Sequence, residues 1–377
     1  MRLLDTDSRY HRQELITWWD QEKLLQARVL VVGAGAIGNE VAKNLALVGV
    51  GYIEICDMDT IEHSNLARCV FFREGHEGQN KAEILAQEVA ALNPDIRAVG
   101  HGVAVQRLGI GYLRRFDIVI GALDNREARA WVNQACRKLG LMWIDGAIEG
   151  LRGLVRIFGT EGACYACTLT EADYKQMSHR KSCALLAPEE ILSGKTPTNA
   201  TTAAIVAGIQ VQEAIKFLTG NHALVSVIGK VWSYTGDSMD VFISKYQEDE
   251  YCLAHDYYET VIEAAPAETL AAVVSSVTSL LGEDPIAVDF EDDLISLLPC
   301  SSCGAGENMT KLRSAFGLGE GRCDTCGVER VGEMVTSVPI GSPVLDLSAD
   351  ALGFPMADMV TVRGNANRVA VVIDGVS

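Results

Sequence analysis

The sequence lacks long apolar runs and has few basic residues for its length. No stretch approaches the roughly 18 uncharged apolar residues that a membrane helix needs, and residues 1–19 interleave Arg, Asp, Glu and His where a signal peptide would be apolar. Only 32 Lys and Arg stand against 50 Asp and Glu, and the net charge of −18 repels phosphate backbones and anionic membranes. These absences predict a cytoplasmic protein that binds neither nucleic acid nor a membrane.

Internal repeats and low-complexity tracts are also missing, which excludes repeat architectures. The 377 residues, 48% of them hydrophobic, are enough for a packed core and favour two domains over one. Six of the eleven cysteines fall in three C-x-x-C pairs. In a chain predicted to stay in the cytoplasm, such pairs favour metal and thiol chemistry over disulfides.

Short apolar runs alternate with longer mixed stretches between Arg28 and Phe158, a spacing typical of strands separated by helices. The runs cover residues 29–32, 52–56, 117–120, 142–144 and 154–158. Between the first two, Ile37, Val41 and Leu45 recur at helical spacing, as a crossover helix on a parallel sheet requires. The pattern predicts an α/β fold with a Rossmann-like doubly wound sheet.

A glycine turn follows the first predicted strand and opens the helix, with Gly33, Gly35 and Gly38 in the sequence G-A-G-A-I-G. The free N–H groups and the dipole at such a helix start favour phosphate. Asp57 closes the second strand 19 residues beyond Gly38, a spacing that suits a carboxylate bound to a ribose hydroxyl. The turn predicts a bound nucleotide but does not distinguish ATP from NAD.

Further motifs in chain order make the interpretation more specific. They are Arg9-Tyr10-His11-Arg12-Gln13, Gly33 to Gly38, Asp57-Met58-Asp59, Ser64-Asn65-Leu66-Ala67-Arg68, Gly78-Gln79-Asn80-Lys81 and Leu123-Asp124-Asn125. This series resembles the ubiquitin-activating and ThiF/MoeB adenylating family over about residues 9–245. The resemblance implies an enzyme that uses ATP and Mg²⁺ to adenylate the C-terminal glycine carboxylate of a ubiquitin-like protein.

The resemblance also implies which residues surround the nucleotide. They are Asp57 on the ribose, Asp59 in the same motif, Asn65, Arg68 and Lys81 around the phosphates, and Asp124 at the magnesium ion. Cationic groups suit attack on the α-phosphate, because charge builds on the nonbridging oxygens and on the leaving pyrophosphate. Taken alone, Asp124 is equally well explained as a helix N-cap.

Arg12 lies upstream of the first predicted strand. In related dimers the equivalent arginine reaches the nucleotide of the partner subunit. The resemblance therefore implies a catalytic role for Arg12 and a homodimer.

Cys183 lies in a long irregular segment, residues 170–199, and segments of that kind are usually functional. The basic residues His179, Arg180 and Lys181 precede it and would favour the thiolate. Its position is similar to that of the thioester-forming cysteine of ubiquitin-like activators. The resemblance implies that Cys183 captures the acyl group as a thioester for a conjugating enzyme. The alternative is a ThiF/MoeB-type adenylyltransferase that acts on a sulfur-carrier protein.

Two C-x-x-C-G pairs near the C-terminus are separated by 19 residues and contain Cys300, Cys303, Cys323 and Cys326. Glycine after each pair permits a tight turn that points both thiolates at one ion, which predicts a Zn²⁺ site.

Cys164 and Cys167 form a third pair, which resembles the first zinc pair of the family. Six cysteines are more than the four ligands that one tetrahedral ion binds. Either the four C-terminal cysteines bind zinc together, which we favour, or Cys164 and Cys167 recruit one distal pair. In the first case Cys164 and Cys167 are reduced core thiols or a degenerate site. The cysteines predicted to be structural are Cys56, Cys69, Cys136 and Cys252.

These observations predict three regions. Residues 1–246 form the adenylation domain and include the cysteine-bearing segment 170–199. Residues 247–299 form an acidic connector, and residues 300–377 form a small zinc-binding, β-rich interaction module.

Overall fold

The chain folds into two units, which are described here separately. The computed structural model describes residues 7–175, 197–225, 228–263, 269–316, 320–328, 330 and 332–375. Within those ranges, the first unit comprises residues 7–105, 114–169 and 197–256. The second comprises residues 106–113, 170–175 and 257–375.

The helices with defined bounds are α1 (His11–Glu14), α2 (Gln21–Gln26), α3 (Ala36–Val48), α4 (Lys81–Leu92), α5 (Ile110–Leu113), α6 (Arg126–Leu139), α7 (Ala200–Leu218) and α8 (Leu270–Leu281). The strands are β1 (Arg28–Val32), β2 (Tyr52–Cys56), β3 (Arg97–His101), β4 (Ile118–Gly121), β5 (Met142–Glu149), β6 (Arg152–Phe158), β7 (Lys230–Thr235), β8 (Asp240–Lys245), β9 (Val261–Glu263), β10 (Ala287–Pro299), β11 (Gly306–Leu312), β12 (Glu333–Pro339), β13 (Ala357–Arg363) and β14 (Arg368–Asp374). Within the described part of the chain, no helix is both long and apolar enough to span a bilayer.

The first unit is built on an eight-stranded sheet in the order β3-β2-β1-β4-β5-β6-β7-β8. Strands β3, β2, β1, β4 and β5 run parallel, and β6, β7 and β8 continue the sheet in antiparallel fashion. Strand β1 lies between β2 and β4, so the strand order reverses at β1. This arrangement confirms the predicted Rossmann-like doubly wound sheet, and ligands bind such sheets at the reversal point.

Helix α3 shows how the pattern of apolar residues becomes packing. Ile37, Val41 and Leu45 are buried in the core of the first unit, together with strand residues such as Val29 and Val31. Full burial of each such side chain contributes about 1.5–3 kcal/mol relative to exposure. The helix is capped by Gly49, which has a left-handed φ of 79° and whose N–H donates to the carbonyls of Leu45 and Ala46 in the last turn.

The second unit contains a six-stranded sheet in the order β11-β10-β13-β14-β9, with β12 also paired to β10. Helix α8 buries Leu270, Val273 and Val277 in the same core as strand residues Val360 and Val371. This differs from the predicted acidic connector, because residues 257–299 supply β9, α8 and β10 to the unit. Acidic residues between the apolar positions of β10 conceal the strand in the sequence.

Candidate nucleotide site and two clusters of metal ligands

The glycine turn after β1 is closely packed on one side and open on the other. A Cβ atom at Gly38 would lie 1.9 Å from the Gly33 carbonyl oxygen, and one at Gly33 would lie 2.4 Å from the Ala122 carbonyl oxygen. A Cβ atom at Gly35 would meet nothing within 4 Å. Gly35 is the N-cap of α3 and supplies no capping side chain. The first N–H groups of α3 therefore begin beside open space that a phosphate can fill.

Asp57 follows β2 and is held by backbone donors. Its Oδ2 accepts a hydrogen bond from the Ala34 N–H (2.7 Å), and its Oδ1 accepts one from the Asp59 N–H (2.9 Å). The Asn80 side chain donates to the Asp57 carbonyl (3.0 Å) and caps α4 by accepting from the Ala82 N–H (2.9 Å). These contacts connect the glycine turn, the end of β2 and the start of α4.

Lys81 is the first residue of α4 and lies among three carboxylates. Its Nζ is 2.8 Å from Asp59 Oδ2, and only 12% of the side chain is exposed. Burial on its own lowers the pKa of the Lys81 ammonium. The charges of Asp57, Asp59 and Asp124 outweigh this effect and raise the pKa above its ordinary value. Lys81 therefore stays protonated in a mainly negative environment.

Asn65 and Arg68 share one turn between β2 and α4. Asn65 is buried, and its Oδ1 accepts a hydrogen bond from the Glu62 N–H (2.8 Å). The Arg68 guanidinium donates to the Ser64 carbonyl of the same turn. The predicted phosphate contacts of these two side chains stay predictions.

Asp124 lies in the loop between β4 and α6, at the edge of the sheet beside the glycine turn. The Ala122 N–H of this loop donates to the Val32 carbonyl at the end of β1 (2.7 Å). The N-cap of α6 is Asn125, whose side chain accepts from the Ala128 N–H (2.7 Å). Asp124 is exposed and is not this cap. Its carboxylate is therefore not required to begin the helix.

The contacts above do not test two of the predicted catalytic residues. Arg12 is exposed on the short helix α1, and its role in a dimer stays a prediction. Cys183 lies outside the described residues.

The residues present fit ATP with a divalent cation. The carboxylates of Asp59 and Asp124 act on Lys81 at this site, and a divalent cation would reduce their repulsion of the ATP phosphates. Carboxylate oxygen is the ligand that Mg²⁺ prefers. Asp124 presents such a group at the ligand-binding edge of the sheet.

Four potential metal ligands lie together in the first unit: Cys164, Cys167, Cys252 and His255. Cys164 Sγ is 3.7 Å from Cys252 Sγ, Cys167 Sγ is 3.2 Å from His255 Nε2, and all four ligand atoms lie within 4.8 Å of one another. His255 Nδ1 is 3.6 Å from Glu248 Oε1. A carboxylate on that side of the ring leaves Nε2 for a metal ion, as in many zinc sites.

This cluster corrects the prediction for Cys164, Cys167 and Cys252. The first two are not isolated core thiols, and their partners are Cys252 and His255 instead of a distal C-x-x-C pair. The sequence contained the necessary signal as Cys252-Leu-Ala-His255, which has the spacing of a C-x-x-C pair with histidine as the second ligand. A C-x-x-C motif does not include it, because the second ligand is a histidine.

A second cluster lies in the second unit and contains the predicted ligands Cys300, Cys303, Cys323 and Cys326. The Sγ atoms of Cys300 and Cys326 are 3.4 Å apart, and those of Cys303 and Cys323 are 3.6 Å apart. Each pair is followed by a glycine with a left-handed φ of 71°, Gly304 and Gly327. Four sulfur ligands in this arrangement are typical of a structural zinc site.

Comparisons with known proteins found a family match and several relatives. Residues 9–254 match the ThiF family. The NEDD8-activating enzyme E1 catalytic subunit of Caenorhabditis elegans is 37% identical over 187 residues, which are 45% of this chain and 43% of that protein. The SAMP-activating enzyme E1 of Haloferax volcanii is 33% identical over 245 residues, covering 63% of this chain and 83% of that protein. The sulfur carrier protein adenylyltransferase of Thermus thermophilus is 37% identical over 169 residues, covering 42% and 62%.

The structure also resembles solved structures in fold. The crystal structure of E. coli MccB with ATP aligns with a TM-score of 0.55 at 23% identity, covering 66% of this chain and 74% of that one. The chain spans less than half the length of several eukaryotic relatives, such as 22% of SUMO-activating enzyme subunit 2 of Dictyostelium discoideum. The match to the ThiF family ends at residue 254 and leaves most of the second unit outside it.

Proposed function

Because this chain belongs to the ThiF family, we propose that it uses ATP to adenylate the C-terminal glycine carboxylate of a ubiquitin-like or sulfur-carrier protein. The observation that carries the proposal is the convergence of Lys81, the end of β2 and the Asp124 loop beside the open glycine turn. The named relatives that act on such carriers support the partner class.

The chain's own residues divide the work of this reaction. The start of α3 receives phosphate oxygens with its N–H groups, and the absence of a side chain at Gly35 lets them approach. Lys81 offers a fixed positive charge to the phosphates as negative charge builds on the leaving pyrophosphate. Asp124 would hold Mg²⁺, which when bound supplies positive charge to the phosphate oxygens.

The activated carboxylate has two possible fates. In the leading proposal Cys183 attacks the acyl adenylate, AMP leaves, and the thioester passes to a conjugating enzyme. In the alternative the activated partner is a sulfur-carrier protein, the substrate that the name of the Thermus relative gives. A sulfur donor then attacks the acyl adenylate, and AMP leaves. We further propose a homodimer in which Arg12 completes the partner's site. A cytoplasmic location stays a prediction that suits thiolate metal ligands, which must remain reduced.

Nonreducing gels test this proposal and separate the two fates. The wild-type chain and the Cys183→Ala variant are incubated with ATP-Mg²⁺ and a ubiquitin-like protein that ends in glycine. Thioester formation predicts an ATP-dependent, thiol-sensitive adduct that the variant lacks. Pyrophosphate release without an adduct would favour the sulfur-carrier fate. Neither product with any ubiquitin-like or sulfur-carrier protein would contradict the proposed function.

We also propose that both ligand clusters hold Zn²⁺. Soft thiolate and imidazole ligands within 4.8 Å of one another match tetrahedral zinc. In the first unit the ion would connect the segment after β6, which carries Cys164 and Cys167, to the segment after β8, which carries Cys252 and His255. In the second unit the ion would connect the turn after β10, which carries Cys300 and Cys303, to the turn before β12, which carries Cys323 and Cys326.

Metal analysis of the purified full chain should find two zinc ions per chain. The combined variant Cys164→Ser/Cys252→Ser should retain one ion, and Cys303→Ser/Cys323→Ser should also retain one, because each removes half of a single cluster. Cys69→Ala is the matched control, since Cys69 is a buried free thiol outside both clusters. A zinc content that the double variants leave unchanged would refute the assignment.

A further inference from the structure

A buried ionic group lies directly beneath the Asp124 loop. Asp145 on β5 is fully buried, and both of its oxygens are paired with arginines. Arg129 Nε donates to Asp145 Oδ1 (3.1 Å), and Arg156 Nε donates to Asp145 Oδ2 (2.9 Å). Two guanidinium groups share one carboxylate, so one positive charge remains for other acceptors.

Arg129 directs the remaining donors at backbone carbonyls. Its Nη2 donates to the Leu123 carbonyl, and the same atom lies 3.4 Å from the Gly146 carbonyl oxygen. Leu123 immediately precedes Asp124. Only 8% of Arg129 is exposed, so these contacts are shielded from water.

The start of the same loop is held by a second buried side chain. Gln210 on α7 donates to the Gly121 carbonyl (2.8 Å) and to the Ile144 carbonyl (3.2 Å). Gln210 thus fixes the last residue of β4, and Arg129 fixes the residue two positions later. Asp124 is the first exposed position after both attachments.

Stability alone is a weak reason for such a group. Replacing a buried ion pair with apolar side chains is often neutral or stabilising, because desolvation offsets the Coulombic gain. A guanidinium is suited to a different task, since its planar fork can pair with a carboxylate and still aim another N–H at a carbonyl. A lysine ammonium at the same position lacks this geometry.

We propose that Arg129 is a positioning residue that holds the Leu123 carbonyl so that the Asp124 carboxylate faces the divalent cation of the bound nucleotide. The inference rests on the proposed function, which supplies the nucleotide and its cation. Arg129 acts through Asp124 and touches no reacting atom.

Arg156 offers a matched comparison within the same ionic group. It pairs with Asp145 as Arg129 does and is similarly buried. Its guanidinium carbon also lies 5.0 Å from the centre of the Tyr165 ring, and its side chain is hydrogen-bonded to Tyr246. It makes no hydrogen bond to the Asp124 loop in the described structure. Lysine at either position disturbs the ion pair, but only Arg129→Lys withdraws the donor from Leu123.

Mn²⁺ binding to the full chain in the presence of α,β-methylene ATP, followed by electron paramagnetic resonance, tests this inference without turnover. Arg129→Lys should weaken nucleotide-dependent Mn²⁺ binding about tenfold, the usual effect of losing a group that orients a metal ligand. Arg156→Lys should change it less than about twofold. Thermal unfolding of both variants reports their cost to the fold. If Arg129→Lys does not fold, Arg129→Gln takes its place with the same expected result.

The outcomes separate the inference from the proposed function. Equal weakening in both variants, or none in Arg129→Lys, would overturn the positioning role while leaving the nucleotide site in place. Absence of nucleotide-dependent Mn²⁺ binding in the wild-type chain would overturn the proposed function and this inference with it. Weaker Mn²⁺ binding in the Arg129 variant alone would support the positioning role of Arg129.

Discussion

Asp124→Ala should lower ATP–pyrophosphate exchange about a hundred- to a thousandfold, the usual cost of removing one electrostatic contribution to a transition state. Asp124 is exposed, and the N-cap of α6 is the neighbouring Asn125. The substitution should therefore change the free energy of unfolding by no more than about 0.5 kcal/mol. Exchange rates at saturating ATP and thermal unfolding curves of the same preparation measure the two effects separately.

Asp117→Ala is the control for this substitution. Asp117 is an exposed aspartate just before β4, at the opposite end of that strand from the glycine turn. Its carboxylate accepts a hydrogen bond from the Arg28 N–H (2.8 Å) and belongs to no part of the nucleotide site. Exchange should survive in this variant. Equal losses at both positions, or an active Asp124→Ala enzyme, would remove Asp124 from the proposed metal site.

Gly38→Ala should lower the stability of the fold, whereas Gly35→Ala should lower the affinity for ATP. At Gly38 the new methyl carbon would lie 1.9 Å from the Gly33 carbonyl oxygen, so the backbone must shift. Overpacking of this kind costs about 1–3 kcal/mol or more, and the melting temperature should fall by several degrees. At Gly35 the methyl meets nothing within 4 Å, so the fold should be unchanged. The new methyl group would, however, occupy the space in which the phosphates approach α3.

Thermal unfolding without nucleotide and calorimetric titration with ATP-Mg²⁺ measure this pair of effects. We expect a lowered melting temperature only in Gly38→Ala. In the well-folded Gly35→Ala variant, ATP affinity should fall about tenfold or more, equivalent to about 1.4 kcal/mol. Wild-type affinity in Gly35→Ala would show that the nucleotide does not approach this turn.

Much of the first unit could be predicted because its apolar residues recur with clear periods. Strand β2 was predicted at residues 52–56 and is found at Tyr52–Cys56, and the buried residues of α3 are those at helical spacing. Strand β5 extends to Glu149, five residues beyond the predicted end at 144, because it pairs with the antiparallel strand β6. Such pairing is a long-range contact that a local pattern does not contain.

Other features depended on contacts between distant segments. The cluster of Cys164 with His255 joins residues far apart in sequence, and its second pair has a histidine where a C-x-x-C motif has a cysteine. The link between Arg129 and the Leu123 carbonyl involves a backbone atom, which no sequence motif records. The sequence alone could not tell whether Asp124 or Asn125 caps α6, because both residue types make good caps. The structure shows that the cap is Asn125.

Incorporation of labelled pyrophosphate into ATP by the wild-type chain tests the central claim most directly. The reaction is run with ubiquitin-like and sulfur-carrier proteins that end in glycine, and with the same proteins carrying a C-terminal amide. Our account predicts exchange with at least one free carboxylate and none with its amide, because only the carboxylate can form the acyl adenylate. Exchange that the amide supports equally well, or no exchange with any free carboxylate, would contradict it.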